Sequence, residues 1–182
     1  MSAHRFIYIL TGIFLLLSCG SDNNAPADDS GNTTNHYLQL QPNGLNTIKV
    51  SCTEKSFTFP IQIKVVGNGA NQSFKAQINT WSEDELKVYN NKEKTSYVLL
   101  PSSLYFLTST EVSFKEGAST MDIEVKFNPS KVFTEFREKG VEYVIALKLS
   151  SDEVQVRDSQ SKMLLGISFD YPIVGFTASV AE

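Results

Sequence analysis

The residues of this chain that could do chemistry are few, and the informative ones are aromatic. There are two histidines and two cysteines among 182 residues. His4 lies in an apolar leader and His36 closes a polar tract, so a Ser-His-Asp or Cys-His arrangement is hard to build. Neither a Cys/His cluster nor a D-x-D-x-D-G loop occurs, so no metal or other cofactor is expected. Glycoside hydrolysis needs only two carboxylates about 5 to 10 Å apart, and twenty acidic residues leave that route open. Non-covalent sugar recognition has more to work with. Sugar C–H faces pack on aromatic rings while hydroxyls bond to nearby amides and carboxylates, and Trp81, Tyr89, Tyr97 and Tyr105 fall close together in sequence. Each ring has two readings at this stage, ligand contact or packing on the core.

The beginning of the chain reads as an address. His4 and Arg5 precede Ile7 to Leu17, an apolar run broken only by Thr11 and Gly12. A membrane-spanning helix needs about 20 apolar residues, so this run fits a secretory leader, residues 1–18, better than a span. It ends in Leu16-Leu17-Ser18-Cys19-Gly20, which resembles the lipobox of bacterial lipoproteins. That resemblance implies cleavage before Cys19, lipid on its thiol and acylation of its new amine. Each buried CH₂ contributes about 0.8 kcal/mol, so two or three acyl chains make a stable membrane anchor. An ordinary secreted protein with a chance cysteine near its cleavage site is the alternative. If Cys19 is lipidated, Cys52 has no disulfide partner and is expected to be a small buried apolar residue.

Removing residues 1–18 takes away Arg5 and no acid, which leaves 15 basic against 20 acidic residues. That balance and the lack of any basic run exclude a phosphate backbone as partner, so no nucleic acid is expected. Residues 19–36 hold the lipidation candidate and an acidic linker without large apolar side chains, which cannot bury enough to order itself. As a coil, the 17 residues from Gly20 to His36 would span roughly 22 Å. Asp22, Asp28 and Asp29 also resemble the surface-export signals of Bacteroidota lipoproteins, which implies an outer-membrane, surface-exposed location. A plain solvated linker or a periplasm-facing anchor fits the same residues.

From Tyr37 the period changes to two. Tyr37 to Gln41, Thr47 to Cys52, Phe57 to Val65, Phe74 to Ile78, Val112 to Phe114, Met121 to Phe127, Val141 to Leu149 and Lys162 to Asp170 read as strands. The stretch Ser96 to Phe127 reads as the scaffold that the others surround. Pro60 lacks an amide donor, which predicts an edge or a bulge in its strand. Val154 and Val156 are placed to pair briefly within a polar loop.

Two short helices interrupt the strands. Ser82 and Glu85 form an S-x-x-E capping box, and Trp81 and Leu86 have the spacing of a hydrophobic staple. Asn128 and Pro129 start the second helix, with Val132, Phe133 and Phe136 on one face and Gly140 at its end. The pattern predicts an all-β, immunoglobulin-like β-sandwich of about eight strands with two short helices inserted, over residues 37–176 with a tail at 177–182. A partly closed barrel is the alternative.

The order Tyr89-Asn90, Thr95-Ser96-Tyr97, Leu99-Leu100-Pro101, Tyr105, Phe114, Gly117, Val125 and the Tyr143 to Leu149 strand carries a family resemblance. Over residues 86–149 the chain resembles the immunoglobulin-like domain of unknown function near the N-terminus of Bacteroidota surface lipoproteins. In that family the domain occurs in polysaccharide-utilisation systems, ahead of glycosidase or lectin-like domains or in small accessory lipoproteins. Ile145-Ala146 departs from the Leu-Pro that members commonly carry, and no catalytic domain is expected after this one. The resemblance implies a non-enzymatic accessory role in polysaccharide capture, for which Trp81, Tyr89, Tyr97 and Tyr105, singled out by residue type and position, are the glycan-binding candidates. Its partners would be the membrane, a polysaccharide or oligosaccharide, and other surface lipoproteins. A structural spacer or protein-interaction domain is the alternative, and a glycoside hydrolase a third reading.

Overall fold

A computed structural model describes residues 36–67, 70, 72–139 and 141–170. Cys19, the leader, nearly all of the linker, Gly140 and residues 171–182 lie outside the described residues. The strands are β1 (Tyr37–Gln41), β2 (Gly44–Ser51), β3 (Phe57–Val66), β4 (Phe74–Thr80), β5 (Val98–Leu99), β6 (Tyr105–Leu107), β7 (Glu111–Phe114), β8 (Thr120–Phe127), β9 (Tyr143–Ser150) and β10 (Lys162–Asp170). The helices are α1 (Glu83–Glu93) and α2 (Pro129–Lys139). The fold is the expected all-β sandwich with two inserted helices. The eight expected strands all form, and β5 and β6 are added between α1 and β7. Their two and three residues are too few to show a period.

One sheet has the order β1-β3-β8-β6 and is antiparallel throughout. The other runs β2-β10-β9-β4-β7, with β2 parallel to β10 and β5 parallel to β9. The inward faces alternate as period two requires. Leu40, Ile61, Ile63, Ile123 and Val125 of the first sheet meet Phe114, Ile145, Leu147 and Leu165 of the second in one core. Cys52 is buried at its margin as a free thiol.

Pro60 corrects the edge expectation in an instructive way. Its strand, β3, is internal, flanked by β1 and β8. The Val65 amide donates to Ser119 on the β8 side, so amides at even positions of β3 point toward β1. β1, however, ends at the Gln41–Gln62 pair, short of Pro60. The missing N–H therefore faces a place where β3 has no neighbour, and proline costs no ladder bond there.

The strands β7 and β8 are consecutive but do not pair with each other. β7 joins β4 and β8 joins β3, so the turn through Gly117, at φ +80°, carries the chain from one sheet to the other. The most buried strands are β9 and β10 rather than those of the Ser96 to Phe127 stretch. Tyr143 through Leu147 are all buried, on both faces of the sheet. Ile145 and Leu147 face the sandwich core, while Val144 and Ala146 join Leu164 of β10 on the outer face, where Trp81 and Leu86 cover them. At this point the sandwich has a third layer, α1. α2 packs at Val132 and Phe133, the latter edge-on to Phe169 at 5.2 Å between ring centres. Its first turn is capped by the Asn128 side chain, which accepts from the Lys131 amide. Val156 forms a lone parallel bridge to Leu38.

Candidate functional site

The site begins where β4 gives way to α1. Ser82 is the N-cap, its hydroxyl accepting from the Glu85 amide at 3.2 Å while the Glu85 carboxylate accepts from the Ser82 amide at 2.8 Å. Trp81 and Leu86 then close the staple over the outer face of β9. The Trp81 amide donates to the Ala146 carbonyl, and its indole Nε1 crosses to donate to Leu147 at 3.0 Å. The ring is 6% exposed. The Lys162 ammonium sits 5.4 Å from its centre.

Three of the four candidate rings form one string. Tyr89 meets Trp81 edge-on at 5.8 Å, and Tyr97 lies nearly parallel to Tyr89 at 6.5 Å. Asn90 fixes the far end. Its Nδ2 donates to the Tyr97 carbonyl, and its Oδ1 accepts from the Thr95 hydroxyl and the Tyr97 amide, at 2.8 to 3.2 Å. The α1 C-terminus needs such a device, because Lys94 turns the chain in the left-handed region at φ +59°. The YN and TSY pairs are therefore two halves of one connector. β5 then adds to β9, where Val98, Leu100 and Trp81 satisfy the carbonyls of Glu142, Val144 and Ala146 in turn.

Two clefts flank this string. The first, about 270 Å³, lies over β2, β10 and β9, bordered by Tyr97, Thr47, Glu142 and Ser168 and floored by Gly166. A Cβ on Gly166 would sit 3.5 Å from the Thr47 hydroxyl, in ordinary contact, so the missing side chain leaves space rather than relieving a clash. Tyr97 turns one face to Tyr89 and also borders this cleft. Among the described residues, the Tyr97 and Thr47 hydroxyls and the Glu142 carboxylate have no hydrogen-bond partner in the protein.

The second cleft, about 260 Å³, occupies the notch between β4 and β5, with Trp81, Glu83, Leu99, Ser102, Tyr105 and Ala146 on its walls. Burial pushes the Tyr105 phenol above its usual range. The four candidate rings thus do not share one concave face. Tyr97 borders the first cleft, Trp81 and Tyr105 border the second, and Tyr89 serves as the packed link between them. Gly166, Thr47 and Glu142 were not singled out in the sequence. The only local signal was a glycine interrupting an apolar strand, which can mark close approach of another group. Among the described residues no group of three or more His, Cys, Asp or Glu could hold a metal ion.

A family model described as "-like, N-terminal domain" matches residues 30–156. Among solved structures, a Bacteroides ovatus protein named as a candidate carbohydrate binder is 18% identical, with a TM-score of 0.61 over 72% of this chain and 36% of its own. A B. ovatus protein of unknown function is 14% identical, at 0.58 over 77% and 46%. Bacteroides thetaiotamicron EndoBT-3987, solved with a Man5GlcNAc product, is 14% identical, at 0.55 over 73% and 31%. These identities establish a shared fold, and this chain spans about a third to a half of the length of those structures. No curated protein matches.

Proposed function

The chain belongs to this family of N-terminal domains, and from that premise we propose that it is a lipid-anchored, non-catalytic accessory domain that binds glycan in the Tyr97 cleft. One observation carries the reading. An aromatic ring borders a cleft floored by glycine, beside a carboxylate and two hydroxyls that no protein group uses. A pyranose offers the matching set, a C–H face for the ring and hydroxyls for the polar groups. The neighbour named as a candidate carbohydrate binder and EndoBT-3987 with its Man5GlcNAc product supply company for the idea at the level of fold.

Cys19 would hold the domain to the outer membrane, with the acidic linker as tether. Replacing Cys19 by Ala should release the protein from membranes, and protease treatment of intact cells should degrade the anchored form only if it faces outward.

The binding test is affinity electrophoresis of the full-length protein in detergent, through gels containing yeast α-mannan, starch, xylan or mucin glycans. Retardation by one polysaccharide, competed by its oligosaccharides and weakened by Tyr97→Ala, is the expected result. Uniform mobility across the panel would remove the glycan reading.

A protein-interaction role is supported by a separate feature. Phe106 is 62% exposed on β6, an edge strand of the first sheet. Capture of an outer-membrane partner that depends on Phe106, without any glycan retention, would favour that reading.

A further inference from the structure

We infer that the Trp81–Tyr105 cleft is a second sugar subsite, so that the domain recognises an oligosaccharide chain rather than a single terminal sugar. This rests on the glycan reading of the Tyr97 cleft.

The two clefts take lining residues from one short ladder. β5 pairs with β9 as Val98 with Tyr143 and Leu99 with Val144. Tyr143 lines the first cleft while Leu99 and Val144 line the second. Tyr97, immediately before β5, and Leu99 of β5 pack on the same side, about 7 Å apart by the two-residue repeat of extended chain. The ring string has its ends in the two clefts, Tyr97 in one and Trp81 in the other.

The second cleft is the more polar of the two and also combines a ring with hydroxyls and a carboxylate. Half-buried Tyr105 supplies the ring surface, and buried Trp81 lines the cleft as a reporter beside it. Among the described residues, the Tyr105 and Ser102 hydroxyls and the Glu83 carboxylate have no hydrogen-bond partner in the protein. Tyr105 enters from the sheet opposite β9, paired with Phe127 of β8. The notch is therefore walled by both sheets, and its volume is close to that of the first cleft. Two cavities of similar volume, lined from the two residue pairs of one short ladder, suit consecutive units of a chain better than two unrelated ligands.

Trp81 makes the proposal directly readable, because it is the chain's single tryptophan and it borders only the second cleft. The full-length protein in detergent is titrated with mannose, glucose and xylose and with their linear oligomers of two to six units, following tryptophan emission. Gel retention on α-mannan, starch and xylan is measured in parallel. Oligomers of one series should bind at least about tenfold more tightly than its monosaccharide and shift the emission, which the monosaccharide should not do. Tyr105→Ala and Glu83→Gln should abolish the length dependence and the emission shift while leaving weak retention that still needs Tyr97. Circular dichroism confirms that both variants are folded. Equal affinity for monosaccharide and oligomers, or length dependence untouched by both variants, would overturn the second subsite while the Tyr97 cleft stands. No retention of the wild-type protein on these three polysaccharides or on mucin glycans would overturn both.

Discussion

Lys148 of β9 and Glu85 of α1 form a side-chain link that fastens the capping box to the sheet, with Nζ donating to both carboxylate oxygens at 2.8 and 3.0 Å. Glu85 thus does two jobs, closing the helix start and tying it to a central strand. About a third of each side chain remains exposed, so solvent screening limits its strength.

The Lys148 ammonium first, and then the Ser82 amide, hold the Glu85 carboxyl below its usual value of 4.5. A depressed carboxylate pKa stabilises the fold fully above that usual value, and the stabilisation fades as pH falls below it toward the folded-state value. The difference in urea stability between wild type and Glu85→Gln should therefore be largest near neutral pH and shrink between pH 5 and 3. Ser82→Ala should cost about 1 kcal/mol for the lost cap.

Trp81→Ala should destabilise the protein by about 3 to 5 kcal/mol, the cost of emptying a large buried site. Trp81→Phe should lose less, chiefly the indole bond to the Leu147 carbonyl. Thermal unfolding of both variants checks this. Alanine at position 81 would confuse folding with binding, so Tyr97 and Tyr105 are the better probes of sugar contact.

Asn90→Ala removes three hydrogen bonds that hold Thr95 and Tyr97. At about 1 kcal/mol for each net bond the loss should be about 2 to 3 kcal/mol. Polysaccharide retention should fall as well, through a Tyr97 ring that is no longer positioned. Asn90→Asp keeps the two acceptor bonds and should recover part of both losses, as read by urea unfolding and gel retardation.

Gly166→Val should stay folded, because a β-branched residue suits a strand and its Cβ meets only ordinary contacts, with the two methyls beyond it entering the cleft. It should fill the first cleft and abolish retention on the polysaccharide. A folded Gly166→Val protein with unchanged retention would place the sugar elsewhere.

The sequence by itself determined the strand faces, both helix starts and the buried Cys52, because each is a local rule. Period two sets which side chains face the core, and an S-x-x-E or Asn-Pro pair satisfies backbone amides within one turn. It could not determine what Trp81, Tyr89, Asn90 and Tyr97 do for one another. Their spacing is also that of surface rings, and only the packing of α1 on the outer face of β9 turns them into a string pinned by one amide. Nor could it place Gly166 beneath Tyr97 or Tyr105 beside Trp81, since each pair joins elements far apart in the chain. The tertiary structure decided those meetings, because strand pairing and helix docking depend on non-local contacts that no period of two or 3.6 residues encodes. The Pro60 strand shows the same division. Proline announced a missing donor, and only the early end of β1 revealed where an internal strand could tolerate it.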